Sequence, residues 1–239
     1  MPNANIQPHI HLIIRIVLVT LCAQLLPLIA MTAMQGQSVT GILLPSTLFI
    51  LVLTTPAVIV GTLLGPKFNL GLFNQDAIEA RRRGLIFALI VGVLLGAALL
   101  TLRHFVADQL PDSIPAYGFR GVLGGFLVSV SASIGEEVWF RFGLMTLMLW
   151  FVAKLQRQDR PSPLAAMLVI TIVAFAFGLA HIPQLVSYSA ANVFAVWATI
   201  LGNVAVGVLY GWCYWRHGLI SAIVAHFSLD IVLHMLPAL

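Results

Sequence analysis

The chain has 239 residues, 60% of them apolar, and contains only 12 Lys or Arg and 8 Asp or Glu. A soluble domain carries about a quarter charged residues and a disordered chain is poor in apolar ones, so this composition excludes both classes. The net charge of +4 does not indicate a nucleic-acid partner, because the cations lie scattered at the ends of apolar segments. The composition therefore predicts an integral membrane protein in one domain.

Seven apolar segments are long enough to cross a lipid bilayer, which takes about 20 helical residues. They cover residues 10–34, 43–65, 84–102, 120–153, 164–183, 192–212 and 217–237. Helices are expected in all of them, because a helix satisfies its own backbone hydrogen bonds in lipid. The predicted fold is an all-α, polytopic bundle of about seven transmembrane helices.

The fourth segment is long enough to be one tilted or broken helix, or two spans that would raise the total to eight. With seven spans, most cations fall on one side of the membrane and only Arg103 and Arg120 fall on the other. Splitting the segment near residues 136–141 removes this asymmetry. The positive-inside rule thus favours seven spans with a cytoplasmic N-terminus. The expected location is the inner, cytoplasmic membrane of a prokaryote.

The sixth segment carries two local patterns. Gly207 and Gly211 have the small-xxx-small spacing that permits close helix packing. Tyr210 and Tyr214 lie at the predicted end of this segment, where aromatic rings favour the membrane–water interface. The segment is therefore expected to pack closely through its glycines and to place both tyrosines at the interface.

A few polar residues lie within the apolar segments, where each costs a few kcal/mol or more unless it is paired or hydrated. They are Glu136, Glu137 and Arg141 in the fourth segment, His181 near the end of the fifth, and His226 and Asp230 in the seventh. Such residues are candidates for a functional site.

Helical spacing separates their roles. Glu137 and Arg141 are four residues apart with the acid first, which predicts a mainly structural ion pair. Glu136 lies about 100° around the helix from Glu137 and can face a different surface. His226 and Asp230 are also four residues apart, so an imidazole and a carboxyl share one face of the seventh helix.

One carboxylate and two imidazoles that converge can activate a water, bind a metal or relay a proton. Glu136 would be the base for an attacking water. Zinc would instead take His181, His226 and a carboxylate, and would keep one position open for water. Phe177 shares a helix face with His181 and is expected to be a packing residue. Spacing alone leaves the three chemistries open.

Three motifs in these segments resemble those of the CPBP intramembrane proteases. This family is named for CAAX prenyl proteases and bacteriocin-processing proteins, and is also called Abi. Glu136 to Arg141 resembles its EExxxR motif, Phe177 to His181 its FxxxH motif, and His226 to Asp230 its HxxxN or HxxxD motif. The three occur in order over about residues 120–235. The predicted organisation is a single membrane domain, 1–239, with accessory spans in 1–118 and the catalytic core in 119–239.

The resemblance implies an intramembrane endopeptidase acting on a membrane-bound or lipidated peptide. Glu136 with His181 would activate water, and His226 with Asp230 would hold the oxyanion or position the substrate. The remaining motif residues, Glu137 and Arg141, would shape the site. The family is often labelled as metalloproteases, which implies zinc held by Glu136, His181, His226 and Asp230. A glutamate-activated water without metal is the alternative.

Two non-proteolytic hypotheses remain beside this one. The first is a membrane adaptor or immunity protein that keeps the family fold as a scaffold. The second is an ion or proton transporter that uses Glu136, Arg141 and Asp230 as a relay. The sequence also departs from the prenyl proteases at position 230, where they have Asn and this chain has Asp. An ionised carboxylate accepts hydrogen bonds but cannot donate one to an oxyanion, as an amide can.

Overall fold

The computed structural model describes residues 7–239, and side chains from His9 onward. Every regular element in this range is helical, and seven helices are long and apolar enough to cross a membrane. These seven spans are His9–Met34, Thr40–Phe68, Ile78–Phe105, Gly121–Leu155, Pro163–Ser187, Val193–His217 and Leu219–Ala238. The predicted all-α bundle of seven transmembrane helices is confirmed, and the protein is an integral membrane protein.

The fourth span is one continuous helix with a change of backbone register in its middle. An α-helix covers Gly121–Glu136, a π-helix Glu137–Met145, and a second α-helix Thr146–Leu155. The eight-span alternative is therefore wrong, because the chain does not turn back near Glu136. Stretches of π-helix are rare and often occur at functional sites. This one includes the charged pair Glu137 and Arg141.

The sixth span continues beyond its apolar segment and ends at His217. Tyr210 and Tyr214 consequently lie inside the helix, and both are fully buried. Neither ring is exposed as an interfacial anchor would be, and the span has a more polar last turn that hydropathy did not locate. The depth of the two rings in the membrane stays a prediction. The Tyr214 hydroxyl lies 2.7 Å from the Oγ1 of Thr146, within hydrogen-bonding distance.

Glycines allow the sixth span to approach the fifth closely. A Cβ at Gly207 would lie 2.9 Å from the Cα of Ala174, and one at Gly211 would lie 2.9 Å from Ile170. The predicted close packing at these two glycines is confirmed. It also exposes the Gly207 carbonyl oxygen to a hydrogen bond from a neighbouring span.

One end of the bundle is closed by the loop after the second span. The Asn74 side chain donates to the Tyr214 carbonyl at 2.7 Å, and the Leu219 amide donates to the Gly71 carbonyl at 2.9 Å. Arg160 and Arg216 line a cavity of about 300 Å³ beside this loop. These cations therefore share one end of the bundle, in agreement with the predicted distribution of charge. The cytoplasmic orientation of the N-terminus stays a prediction.

Candidate active site

The buried centre of the site is an ion pair. The Nη1 of Arg141 lies 3.2 Å from the Oε1 of Glu137, and neither side chain is exposed. Arg141 also donates through Nη2 to the Gly207 carbonyl at 3.1 Å, and its guanidinium carbon lies 4.6 Å from the centre of the Phe177 ring. The predicted Glu137–Arg141 pair is present. Loss of one partner would leave a buried charge uncompensated, which is costly.

The imidazole of His226 binds to this ion pair through one of its two nitrogens. Its Nδ1 lies 2.8 Å from the Oε1 of Glu137. Because Glu137 is a carboxylate paired with Arg141, it accepts this hydrogen bond and the Nδ1 of His226 carries the proton. The sequence did not predict this contact. It fixes the orientation of the ring and directs the Nε2 away from the ion pair.

The Nε2 of His226 faces two further carboxylates. It lies 3.8 Å from the Oε2 of Glu136 and 3.6 Å from the Oδ2 of Asp230. The Glu136 side chain is 24% exposed, whereas that of Asp230 is 8% exposed. Asp230 also lies 4.0 Å from the Nε2 of His234. Glu136 is therefore the more accessible acid on this side of the imidazole.

Two aromatic rings hold His226 in place. The Tyr210 ring stacks on the imidazole with a centroid distance of 4.4 Å and an interplanar angle of 12°. Phe177 meets the imidazole edge-on, with centroids 6.1 Å apart. Phe177 is the packing residue that the sequence predicts. Tyr210 was missed, because its buried position follows from the extra turn of the sixth span.

His181 contacts Phe177, whose ring also meets the cluster formed by Glu136, Glu137, Arg141, His226 and Asp230. Its Nδ1 lies 2.8 Å from the Phe177 carbonyl oxygen, and the two rings are 4.7 Å apart. No hydrogen bond or ion pair joins His181 to Glu136, His226 or Asp230 within the part of the chain that the structure describes. The structure thus brings the fourth and seventh spans together at the cluster and leaves His181 linked to it through Phe177.

Among the described side chains, the four predicted zinc ligands are not gathered into one group. Among side chains from His9 onward, no three His, Cys, Asp or Glu residues are placed to hold a metal ion. The Nδ1 atoms of His181 and His226 both lie within hydrogen-bonding distance of protein oxygens, and each imidazole keeps its Nε2, an arrangement that metal-binding histidines commonly have. Zinc stays a prediction for metal analysis to test.

Several buried polar atoms of the site lack a hydrogen-bond partner within the described protein. They are the Oε2 of Glu137, the Nε of Arg141 and the hydroxyl of Tyr210. Buried polar groups in native proteins are normally satisfied by protein or by ordered water. These atoms therefore give the site a chemical reason to hold water at membrane depth.

A comparison with known families finds a match over the part of the chain that holds the three motifs. The family model "Type II CAAX prenyl endopeptidase Rce1-like" matches residues 118–232, a range that contains all three motifs and every residue of the cluster. Among curated proteins and solved structures, none matches the chain. A match to this family implies a protease with a membrane-associated peptide substrate. Through residues 118–232, the chain matches the type II CAAX prenyl endopeptidases, which supports its resemblance to the CPBP intramembrane proteases.

Proposed function

We propose that this protein hydrolyses a peptide bond of a membrane-bound or lipidated peptide with a water molecule activated by Glu136. One observation carries the proposal: two adjacent glutamates contact opposite nitrogens of the same imidazole. Glu137 is buried and neutralised by Arg141, whereas Glu136 is partly exposed and lies 3.8 Å from the Nε2 of His226. Glu136 is therefore the acid available to a water molecule.

In the proposed reaction, Glu136 removes a proton from water as the water oxygen attacks the scissile carbonyl carbon. The carbonyl oxygen becomes an oxyanion in a tetrahedral intermediate. The intermediate then collapses, the C–N bond breaks, and Glu136 returns its proton to the leaving amine. One water is consumed, and a carboxylic acid and an amine are produced, which is general base and then general acid catalysis by the same residue.

His226 is placed to stabilise the oxyanion. Its Nδ1 is held by Glu137, so the Nε2 is the nitrogen that faces the reacting groups. An Nε2–H in the protonated ring donates to the oxyanion, and stabilisation of this kind is a large contribution in acyl transfer. Asp230, 3.6 Å from the same nitrogen, orients the imidazole or, when protonated, donates a second hydrogen bond.

We assign His181 to the substrate side of the site and not to direct contact with Glu136. Its Nδ1 donates to the Phe177 carbonyl oxygen, so its Nε2 remains for a contact outside the cluster. A substrate chain passing beside Phe177 would meet this nitrogen. The water activation by His181 that the family resemblance implies would then require the substrate to bring the two groups together.

The proposal is tested with the full chain purified into lipid nanodiscs and a farnesylated CAAX-type peptide carrying a fluorophore and a quencher. Glu136→Gln keeps the size of the side chain and removes the base, so cleavage should fall by roughly 10²–10⁴-fold. Glu79→Gln is the matched control, because Glu79 is an exposed acid at the start of the third span. Equal cleavage by wild type and Glu136→Gln contradicts the proposal and favours the adaptor hypothesis.

Metal content separates the two forms of the mechanism. The metal-free reaction proposed here predicts less than stoichiometric zinc in active protein, and cleavage that survives dialysis against a chelator. One zinc per chain, lost together with activity on chelation and restored by zinc alone, would overturn the metal-free form and support the zinc prediction.

A further inference from the structure

The amide of Gln24 lies in the part of the first span, residues 16–31, whose other side chains are apolar except that of Thr20. Both ends of this amide are bound to one residue of the fourth span. Its Nε2 donates to the Ser131 carbonyl at 2.7 Å, and its Oε1 accepts from the Ser131 hydroxyl at 3.2 Å. An amide left without partners in hydrocarbon costs several kcal/mol. These two hydrogen bonds therefore favour one alignment of the first and fourth spans.

The fourth span has a glycine at the place where this amide lies. A Cβ added at Gly135 would overlap the Nε2 and Cδ of Gln24. Ser131 and Gly135 are one helical turn apart and share a face, so the amide crosses that turn. Gly135 is thus needed for the close approach, and any larger residue there displaces the Gln24 side chain.

The contact lies immediately before the reacting part of the helix. Gly135 precedes Glu136, and the π-helix begins at Glu137. The rotation and height of the last α-helical turn determine where the Glu136 carboxylate lies relative to His226. A shift of about 1 Å at a catalytic group costs as much as 10²-fold in rate.

We propose that Gln24 is a positioning residue that holds Glu136 at its working distance from His226. It acts through Ser131 and Gly135 and does not itself touch the reacting atoms. This inference rests on the function proposed for Glu136. It gives the first span a defined part in catalysis, although that span lies outside the range that matches the family model.

The first test uses Gln24→Met, which keeps the length of the side chain and removes both hydrogen bonds. We expect kcat for the farnesylated peptide to fall roughly 10–100-fold while KM stays within about twofold, because the Glu136 carboxylate moves and the substrate contacts do not. Gln37→Met is the matched control, because Gln37 is exposed in the loop after the first span. Unchanged kcat in Gln24→Met, or a fall in kcat explained by a smaller folded fraction, overturns the proposal.

The second test exploits the overlap at Gly135. Gly135→Ala should lower kcat because its methyl group displaces the Gln24 amide, whereas Gln24→Ala/Gly135→Ala removes the overlap. The single variant Gln24→Ala completes the cycle, and we expect the double variant to lose less kcat than the losses of Gln24→Ala and Gly135→Ala combined, a non-additivity that marks direct coupling. Strictly additive losses contradict the proposal. If Gly135→Ala does not fold, Gln24→Met alone decides.

Glu136→Gln is measured in the same series to separate two kinds of failure. If Glu136→Gln cleaves as fast as wild type, the proposed function fails whatever Gln24 does. If Glu136→Gln is inactive while Gln24→Met and Gly135→Ala cleave as fast as wild type, only the positioning role fails.

Discussion

The two sides of the His226 ring differ in almost every physical respect. On the Nδ1 side, Glu137 is buried, paired with Arg141 and hydrogen-bonded at 2.8 Å. On the Nε2 side, Glu136 and Asp230 lie at longer distances, and Glu136 is partly exposed. Two adjacent glutamates, at the junction of the α-helix and the π-helix, therefore lie in different surroundings. One glutamate stabilises the site, and we propose that the other performs the chemistry.

The largest expected effect on stability comes from removing the ion pair on the Nδ1 side of His226. Arg141→Met removes the guanidinium paired with Glu137 and leaves this buried carboxylate with His226 as its remaining partner among the described residues. We expect the free energy of unfolding to fall by about 3–5 kcal/mol. The measurement is denaturant unfolding in detergent. Arg216→Met is the control, because Arg216 is exposed at the end of the sixth span, and a similar loss in both variants would contradict the assigned role of the pair.

The next effect concerns the ring that stacks on the imidazole. Tyr210→Leu removes the aromatic contact, so stability should fall by about 0.5–1.5 kcal/mol beyond any loss from reduced burial, and kcat should fall as His226 gains freedom. Tyr210→Phe keeps the stack and removes a hydroxyl that has no partner within the described protein. We expect Tyr210→Phe to match or exceed wild-type stability, measured by thermal unfolding. A larger loss in Tyr210→Phe than in Tyr210→Leu would show that the hydroxyl, and not the stack, matters.

The smallest expected effect comes from Asp230, which lies on the Nε2 side of His226. Asp230→Asn keeps the size of the side chain and supplies an N–H donor, as in the prenyl proteases that the motif resembles. Cleavage of the farnesylated peptide should stay within about tenfold of wild type, since one hydrogen bond contributes roughly 0.5–1.5 kcal/mol. Asp230→Leu, which neither donates nor accepts, should lose much more activity. If Asp230→Asn is as inactive as Asp230→Leu, the carboxylate itself is required, as a metal ligand or an acid.

Most of the fold, and several residues on both sides of the imidazole, can be predicted from the sequence. Long apolar segments define the spans, because hydrocarbon excludes an unpaired backbone. Glu136, Arg141 and His226 stand out because charge and imidazole are rare in such segments. The four-residue spacing predicted the Glu137–Arg141 pair, which the structure confirms. The catalytic roles of these residues and the division at residue 118 stay predictions.

The π-helix, the contact made by Gln24 and the position of His181 depend on information that hydropathy does not contain. The π-helix is a change in backbone hydrogen bonding that hydropathy does not report. The contact of both glutamates with one imidazole depends on how the seventh span packs against the fourth. Gln24 was not predicted because an amide carries no charge. The free-energy cost of removing an amide from water in an apolar span is the signal that could have indicated it. The contact between the His181 Nδ1 and the Phe177 carbonyl oxygen depends on the rotamer of His181, which motif spacing does not specify.

The central claim is tested most directly by exchanging the two neighbouring glutamates for glutamine, one at a time. Peptide cleavage and the free energy of unfolding are measured for both variants in the same lipid nanodiscs and detergent. We predict that Glu136→Gln loses cleavage by roughly 10²–10⁴-fold with little change in stability, whereas Glu137→Gln loses mainly stability. Equal cleavage by Glu136→Gln and wild type, or a larger loss of stability in Glu136→Gln than in Glu137→Gln, would contradict the account.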